Sequence, residues 1–508
     1  MTSISTVVQV YFKCAHLLDK DITSKSDPYA MLFETTDGGK VCVGRTEVIK
    51  NNLNPDFKTS ISVNYYFEIR QTMRVEVWDS DKHKSDDLLG VAEFTLAHLM
   101  SSRGSTLTLS LGGKSTVTLT ASYVGSQRGT VGVSFSGRNL KKMDLFGKSD
   151  PYFILSRLLP SGQRSTVYKS EVIKNSLNPQ WKPTPPMDLV DLCGGDVVSP
   201  CIHFECFDQD LGTDEPMGSF VITGEHLIAA GGKEFELTLE KKGKRKSYGF
   251  ITVDRCDYVK SYSFLEYIQA GMGINIAFSI DFTGSNGPPS DPRSLHFCSP
   301  YHPSSYVRAM LAVSNVVQEY DSDRMFPVYG FGAVAPFTNG TSHFFPLSGN
   351  PANAYLNGMQ AVVDTYARLL PMLQFSGPTN FAPTIRTIAT GARQARGVYT
   401  ILLILTDGAI TDMQDTIDAI VAADDVPLSI VIIGIGHADF SSMEQLDGDG
   451  SVLRDRSKRP ARRDLVQFVP FNSFEGKDPA RLAAAVLMEV PKQMEAWGRI
   501  VQATPGRL

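Results

Sequence analysis

Aspartate residues that could bind a metal ion recur in the first part of the chain. Asp27 begins an Asp-Pro-Tyr segment, and Asp21 lies six positions before it. Three more aspartates follow a strand-like run that ends at residue 78: Asp79, Asp81 and Asp87. Ca²⁺ takes about six to eight oxygen ligands, so its site needs several carboxylates from separate loops. Carboxylates crowded at one end of a small domain would repel one another without a cation. The sequence therefore predicts a calcium site at this first aspartate cluster.

A second aspartate cluster repeats the pattern further along the chain. Its four corresponding positions are Asp144, Asp150, Asp208 and Asp210. The loop after Asp210 is shorter than its counterpart, so the fifth position is either Asp214 or Glu215, and we assign Asp214. Aspartates also populate turns, where their side chains cap the backbone. The same spacing and the same Asp-x-Asp pair, found twice, favour calcium over that alternative.

A different set of oxygen ligands lies in the last part of the chain. Two carboxylates and three hydroxyls come from three segments: Asp281, Thr283, Ser285, Thr379 and Asp407. Such an all-oxygen set suits Mg²⁺ or Mn²⁺, which keep water or a partner's carboxylate as further ligands. We call these five residues the hydroxyl–carboxylate cluster and predict a metal site there.

An internal repeat shows how the two aspartate clusters arise. The segment KSDPY occupies residues 25–29 and again 148–152, and EVIKN occupies 47–51 and again 171–175. The offset is a domain length rather than the period of a solenoid, which indicates tandem duplication of a whole domain. We predict the two copies at residues 1–125 and 126–257. Short alternating strand-like runs in both copies predict antiparallel β-sandwiches.

The remaining residues, 258–508, have another pattern. Apolar strand-like runs at 274–280, 326–330, 399–405 and 428–433 alternate with helix candidates at 304–319, 354–373, 383–396, 413–423 and 479–497. This alternation predicts a doubly wound, Rossmann-like α/β domain with a mostly parallel sheet. Asp281 and Asp407 each follow an apolar strand, so both are expected at the C-terminal edge of that sheet, where ligand sites of such folds lie.

Composition limits the classes of function. A net charge of -5 does not indicate a nucleic-acid-binding protein, which would carry a strongly basic domain. The seven cysteines are scattered and form no C-x-x-C pair, which predicts a reducing, intracellular compartment rather than a disulfide framework or zinc ribbon. The N-terminus has neither a signal-peptide pattern nor, with Thr2, the glycine that myristoylation requires. Any membrane contact is therefore expected to be peripheral.

The motifs resemble those of known modules. The Ser-Asp-Pro-Tyr loop, the Asn-Pro-x-aromatic segments at residues 54–57 and 178–181, and the aromatic-Asp-x-Asp loop are similar to the C2 domain. Asp281, Thr283 and Ser285 resemble the Asp-x-Ser-x-Ser metal-ion-dependent adhesion site of a von Willebrand A domain, with Thr in place of the first Ser. Two C2-like domains followed by such an A domain resemble the copine family.

The resemblance implies a non-enzymatic function. Family members bind phospholipid in a Ca²⁺-dependent manner, move from the cytosol to the plasma membrane and bind intracellular proteins through the A domain, in membrane trafficking or signalling. Anionic phospholipid membranes are the expected first partner. Leu145 and Phe146, on the first loop of the second copy, are candidates for membrane insertion, and Lys82, His83 and Lys84 for contact with lipid phosphates. We expect the first copy to bind Ca²⁺ at least as well as the second copy does. We expect the second copy to contribute more to membrane insertion than the first.

Two other interpretations stay open. A lipid-dependent enzyme is one, although Gly113-Lys114-Ser115 and Gly147-Lys148-Ser149 lack the first glycine of a phosphate-binding loop. A calcium-independent membrane scaffold is the other. Its attachment would use the basic stretch, which consists of Lys241, Lys242, Lys244, Arg245 and Lys246.

Overall fold

The structure is a computed structural model. It describes residues 5–21, 24–36, 38–81, 84–123, 127–144, 147–159, 161–210, 212–229, 231–241, 243–299, 302–321, 323–448 and 450–507. Residues 1–124 and 264–508 form one compact unit, and residues 125–263 form another.

The first domain is a β-sandwich of two antiparallel four-stranded sheets, in the orders β4-β1-β8-β7 and β3-β2-β5-β6. Its strands alternate buried and exposed residues because one face of each sheet packs into the core. The elements are β1 Thr6–Ala15, β2 Pro28–Thr36, β3 Gly39–Arg45, β4 Ile61–Tyr65, β5 Thr72–Asp79, β6 Asp87–Thr95, α1 Leu96–Ser101, β7 Thr106–Gly112 and β8 Ser115–Tyr123.

The second domain repeats this sandwich. Its strands follow the order β11-β10-β13-β14-β15-β16-β9-β12, and a single residue pair, Ser219 with Thr238, joins the two halves of the path. Phe135, Phe153 and Phe204 pack together in the core between the halves. The elements are β9 Arg128–Arg138, β10 Pro151–Leu158, β11 Arg164–Lys169, β12 Met187–Asp188, α2 Leu189–Cys193, β13 Ile202–Asp208, β14 Glu215–Ile222, α3 Gly224–Ile228, β15 Lys233–Lys241 and β16 Lys244–Ser261.

The third domain has a central sheet with helices packed against it. Strands β18, β17, β23, β24 and β25 are parallel, and β20 and β21 pair with β18 in the antiparallel direction. The strands are β17 Gly273–Asp281, β18 Met325–Phe331, β19 Ala333–Val334, β20 Phe345–Pro346, β21 Tyr355–Asn357, β22 Gln374–Phe375, β23 Val398–Thr406, β24 Leu428–Gly434 and β25 Val466–Pro470. The helices are α4 Phe264–Gln269, α5 Ser305–Val317, α6 Gly358–Leu369, α7 Ala382–Gln394, α8 Met413–Ala422, α9 Ser441–Asp447, α10 Pro479–Leu487 and α11 Val490–Val501.

The predicted fold class, two antiparallel sandwiches followed by a doubly wound α/β domain, is confirmed, whereas some element bounds differ. The helix predicted at 479–497 is two helices, α10 and α11, and Pro491 lies in the first turn of α11, where its missing N–H costs no hydrogen bond. The helix predicted at 354–373 begins as a short strand, β21. The last strand of the second sandwich runs to Ser261, beyond residue 257. No helix in the described ranges is both long and apolar enough to cross a bilayer.

Candidate functional site

The first aspartate cluster lies where β2 begins and β5 ends. Asp79, the last residue of β5, pairs in register with Pro28, and its Oδ1 accepts the backbone N–H of Asp27 at 2.6 Å. Asp27 Oδ1 in turn accepts the N–H of Asn51 at 2.7 Å. These bonds attach two separate loops to the end of one strand pair. The structure therefore brings Asp27 and Asp79 together, as the sequence predicts.

The loop after β5 adds two more of the predicted carboxylates. Asp87 begins β6 opposite Asp79, and Lys84 Nζ lies 2.6 Å from Asp87 Oδ2 and 3.2 Å from Asp81 Oδ2. The hydrogen bond from Lys84 holds the pKa of Asp87 below its usual range. One ammonium group thus lies between two carboxylates assigned to calcium. Asp21 accepts the Ser24 hydroxyl within its own loop at 2.9 Å.

Asp86 is a residue that the sequence reasoning missed. Its Oδ2 accepts the Tyr29 hydroxyl at 2.7 Å, and its Oδ1 accepts the N–H of Asp81 at 3.0 Å. The Tyr29 bond lowers the pKa of Asp86, and burial together with this bond raises the pKa of Tyr29 to about 12. Asp86 therefore positions the Asp-x-Asp loop. The signal was present in the sequence, because Asp86 directly precedes Asp87.

The second aspartate cluster has the same hydrogen-bond pattern. Asp208 Oδ1 accepts the N–H of Asp150 at 2.5 Å, and Asp150 Oδ1 accepts the N–H of Asn175 at 2.6 Å. Burial raises the pKa of Asp208, and the charges of Asp144 and Asp210 act in the same direction. The four aspartates predicted for this cluster therefore lie within electrostatic or hydrogen-bonding reach of one another.

The correspondence between the copies bears on the fifth position of the second cluster. Asp214 accepts the Tyr152 hydroxyl at 2.7 Å and the N–H of Asp210 at 3.2 Å, which are the contacts that Asp86 makes in the first copy. Glu215 pairs in register with Asp208, just as Asp87 pairs with Asp79. Glu215, the alternative that the sequence left open, thus occupies the position of Asp87, and Asp214 that of Asp86.

Asp79 and Asp208 each have one buried carboxylate oxygen that accepts no hydrogen bond within the described ranges. Asp79 and Asp208 are 1% and 0% exposed, and Oδ2 of each has no hydrogen-bond partner among the described residues. A buried carboxylate oxygen without a partner is costly unless a cation or a donor reaches it. The donor set is all oxygen, so it fits Ca²⁺. Within the described ranges, no three Asp, Glu, His or Cys side chains already lie at metal-binding distances.

Several predicted contact residues lie outside the described residues. They are the candidates for membrane insertion, Leu145 and Phe146, and two of the three candidates for phosphate contact, Lys82 and His83. The third, Lys84, is exposed and forms the ion pairs given above.

The hydroxyl–carboxylate cluster lies at the C-terminal edge of the parallel sheet, where β17 ends at Asp281 and β23 ends just before Asp407. Asp281 Oδ1 accepts the Thr283 N–H at 2.8 Å and its hydroxyl at 2.6 Å, while Oδ2 accepts the Thr406 hydroxyl at 2.6 Å. Ser285 donates to Asp407 Oδ1 at 2.9 Å. The structure thus joins both predicted carboxylates through the predicted hydroxyls.

Both carboxylates of this cluster are held out of water. Asp281 is 0% exposed and Asp407 is 5% exposed. Burial raises the pKa of Asp281, and burial together with the nearby charge of Asp281 raises the pKa of Asp407 to about 7. Two buried carboxylates this close favour a bound cation, and the hydroxyl and carboxylate donors fit Mg²⁺ or Mn²⁺.

Close backbone packing supports the first loop of this cluster. Gly332 has a φ of 78° and packs against Thr283, so a Cβ at residue 332 would overlap the Thr283 methyl group. His296 is buried, and its Nε2 lies 2.8 Å from the carbonyl oxygen of Asp281. Burial lowers the pKa of His296 to about 3. His296 is therefore neutral and supports the loop through this contact.

Thr379 contacts the loop that follows Asp407, and it does so through its backbone. Its carbonyl oxygen accepts the N–H of Thr411, in the loop that follows Asp407, at 2.8 Å. Asp412, which the sequence reasoning missed, accepts the N–H groups of Phe381 and Ala382 at 3.0 Å each. These N–H groups begin α7 and have no acceptor within the helix. Asp412 therefore joins the Thr379 loop to the Asp407 loop.

The basic stretch lies at the hairpin between β15 and β16. Lys241 pairs with Lys244 and Glu240 pairs with Arg245, whose Nε donates to the Thr238 hydroxyl at 2.9 Å. Lys242 lies outside the described residues. The remaining basic side chains of the stretch are exposed.

Comparisons with known proteins place families on these domains. The C2 domain family model matches residues 6–111 and 130–239, and the Copine family model matches residues 294–506. The solved structure "BON1-C2B" is 30% identical and covers 27% of this chain and 94% of its own, with a TM-score of 0.23. The calcium-bound pair of C2 domains of extended synaptotagmin 2 is 17% identical and covers 50% of this chain and 99% of its own, with a TM-score of 0.22. Human GIVD cytosolic phospholipase A2 is 10% identical, covers 65% of this chain and 45% of its own, and has a TM-score of 0.21.

Proposed function

Because the chain belongs to the copine family, with two C2 domains followed by a Copine domain, we propose that it binds anionic phospholipid membranes in a calcium-dependent manner. The protein then moves from the cytosol to the plasma membrane and carries partners of its A domain with it. We assign calcium to Asp21, Asp27, Asp79, Asp81 and Asp87 in the first C2 domain and to Asp144, Asp150, Asp208, Asp210 and Glu215 in the second.

The observation that carries this proposal is the pair of buried oxygens, Asp79 Oδ2 and Asp208 Oδ2, which have no hydrogen-bond partner among the described residues. Their partner oxygens are fixed by backbone N–H groups, so the free oxygens are held in place. A hard divalent cation satisfies them and neutralises the neighbouring carboxylates. Without the cation, the same carboxylates repel anionic lipid.

Bound calcium supplies positive charge and open coordination positions for phosphate oxygens. Other residues of the chain hold the calcium-binding carboxylates in position. Tyr29 and Tyr152 fix Asp86 and Asp214, and these accept the N–H groups of Asp81 and Asp210. The backbone at Asp81 and Asp210 is therefore held in place before calcium binds, which lowers the conformational entropy lost on binding.

The A domain is proposed to bind intracellular proteins at the hydroxyl–carboxylate cluster. Mg²⁺ or Mn²⁺ would be held by Asp281, Thr283, Ser285, Thr379 and Asp407, leaving room for a carboxylate of the partner. The hydrogen bonds between Thr283, Ser285 and the two aspartates support this assignment because they already orient the hydroxyl ligands.

Sedimentation with phosphatidylserine/phosphatidylcholine vesicles tests the membrane function. We expect the protein to pellet with Ca²⁺ and to stay in the supernatant with chelator, and we expect Asp79→Asn and Asp208→Asn to weaken pelleting. Asp254→Asn, a change at an exposed aspartate on β16, is the control. Equal pelleting with Ca²⁺ and with chelator would refute calcium-dependent membrane binding. It would support attachment through the basic stretch if pelleting also fell steeply with salt.

We further propose that the chain is a binding protein rather than an enzyme. Purified protein is expected to show neither kinase nor phospholipase turnover, with or without Ca²⁺ and vesicles. Turnover that a single substitution abolishes would establish the lipid-dependent enzyme instead.

A further inference from the structure

Four aromatic side chains join the first C2 domain to the A domain inside one compact unit. Tyr65 and Phe67 come from the C2 domain, Phe264 and Tyr320 from the A domain, and each is at most 4% exposed. The Phe67 ring lies 4.7 Å from that of Phe264 and 5.1 Å from that of Tyr320, centroid to centroid. The Tyr65 and Tyr320 hydroxyls are hydrogen-bonded to each other. We call these four residues the aromatic interface.

Polar contacts border the aromatic interface. Arg70 Nη2 lies 3.5 Å from Glu319 Oε1, and the Ser101 hydroxyl donates to the Glu319 carbonyl oxygen at 2.8 Å. Domains of one chain usually move relative to each other unless their interface is apolar and well packed. Buried aromatic rings in one edge-on and one tilted pair, with two hydroxyls hydrogen-bonded to each other, meet that condition.

On the C2 domain, the aromatic interface lies at the end opposite the first aspartate cluster. Asp79 ends β5 at the cluster, while Thr72 begins β5 at the other end, next to the loop that carries Phe67 and Arg70. Ser101 belongs to α1, which follows the end of β6 opposite Thr72. At about 3.3 Å per residue, the length of β5 places the interface roughly 23 Å from the cluster.

On the A domain, the aromatic interface also lies opposite the metal edge. The Tyr320 carbonyl oxygen accepts the N–H of Ile274, at the beginning of β17, at 3.3 Å. Asp281 lies at the other end of the same strand, roughly 23 Å from Ile274 at the usual rise per residue. Phe264 begins α4, shortly before β17.

We propose that the first C2 domain and the A domain form one rigid body, with the calcium loops and the A-domain metal edge at opposite ends. A membrane bound at the calcium loops therefore leaves the hydroxyl–carboxylate cluster facing away from the lipid, open to partners from the cytosol. The orientation on a membrane rests on the proposed function. The rigidity of the unit does not.

Two native cysteines allow the rigidity to be measured on the full chain. Cys42 on the C2 domain and Cys298 near the A-domain metal edge are exposed, and we would replace the partly exposed Cys201 and Cys256 by serine. Spin labels on Cys42 and Cys298 should give a single narrow distance distribution by pulsed electron paramagnetic resonance, unchanged by Ca²⁺ or vesicles. A broad or two-peaked distribution in this parent protein would overturn the rigid body.

Variants of the aromatic interface test whether its contacts cause the rigidity of the unit. Phe67→Ala should broaden the distribution, and the gentler pair Tyr65→Phe with Tyr320→Phe should broaden it less. Phe337→Ala, at a residue that is 40% exposed, is the matched control and should leave the width unchanged. An unchanged width in folded Phe67→Ala protein would show that these contacts do not fix the domains.

The orientation is tested with vesicles of phosphatidylserine and phosphatidylcholine that carry a nitroxide on the headgroup. With Ca²⁺, a fluorophore on Ser85→Cys beside the calcium loops should be strongly quenched and one on Cys298 should not. Equal quenching at both positions would overturn the orientation. Failure of the protein to bind the vesicles would refute the proposed function and the orientation together, while the distance distribution would still decide the rigid body.

Discussion

The ammonium nitrogen of Lys84 lies 2.6 Å from Oδ2 of Asp87, a carboxylate assigned to calcium. The same nitrogen lies 3.2 Å from Asp81 Oδ2, so Lys84 is a cation tethered inside the first site. Calcium must displace it before both carboxylates can act as ligands. In the second C2 domain, Lys174 Nζ lies 2.9 Å from Asp150 Oδ2, a carboxylate that has no counterpart among the contacts of Lys84.

Lys84→Gln is therefore expected to increase the calcium affinity of the first C2 domain by about threefold, since exposed ion pairs are individually weak. Calorimetric titration of the full chain, in an Asp208→Asn background that silences the second site, measures it. Lys40→Gln is the control because it removes a similar ion pair, with Glu76, away from the loops. A lower affinity for Lys84→Gln would show that Lys84 supports the site instead.

Substitution of two neighbouring carboxylates, Asp214 and Glu215, shows which of them is the fifth calcium ligand of the second site. Glu215→Gln should lower the calcium affinity of the second C2 domain by roughly tenfold, the usual scale for loss of a charged ligand. Asp214→Asn should act mainly on the stability of the loop, since Asp214 is engaged by Tyr152. Calcium titration of both variants in an Asp79→Asn background decides between them. The reverse ranking would return the ligand to Asp214.

The raised pKa of Asp407 predicts a pH-dependent stability of the metal-free A domain. A carboxyl group whose pKa rises on folding, here from 3.8 to about 7, stabilises the folded state fully below pH 3.8. That contribution is lost as the pH rises through about 7. Asp407→Asn should therefore unfold at a higher temperature than the parent at pH 8 in chelator, and the difference should shrink toward pH 4.

Thermal unfolding also tests the metal at this site. Mg²⁺ or Mn²⁺ should raise the unfolding temperature of the parent at pH 8 and leave that of Asp407→Asn unchanged, because a ligand stabilises only the state that binds it. Asp364→Asn, at an exposed aspartate on α6, is the control and should respond like the parent. An equal response of Asp407→Asn would place the metal elsewhere.

Asp412 should be needed for the Thr379 loop. Asp412→Ala removes the acceptor of two N–H groups at the start of α7 and should cost about 1–2 kcal/mol of unfolding free energy. Urea denaturation measures this loss. Asp412→Asn keeps one acceptor oxygen and should recover part of it. An Asp412→Ala variant as stable as the parent would show that water replaces the carboxylate.

Much of the fold and of the candidate sites could be predicted from the sequence because repeated segments and metal-binding motifs are short and local in the chain. The repeated KSDPY and EVIKN segments identify the two copies, and the alternating strands identify sandwiches. The copine family and the fold class are confirmed. The carboxylates of the α/β domain could be placed because each directly follows an apolar parallel strand.

Contacts between distant residues could not be predicted in this way. The position of Glu215 opposite Asp208 depends on strand register, which the shortened loop hides in the sequence. Asp412 acts on N–H groups about thirty positions earlier, and no spacing indicates that. The burial of Phe67 against Phe264 depends on how two domains pack, whereas Phe67 in sequence is only an apolar residue near a turn.

Calorimetric titration of the full chain with Ca²⁺ decides whether the two aspartate clusters bind calcium. The parent protein should show two classes of site; Asp79→Asn should remove one class, Asp208→Asn the other, and the double variant both. Heats of binding that persist unchanged in the double variant would show that calcium binds elsewhere or that these aspartates are not its ligands.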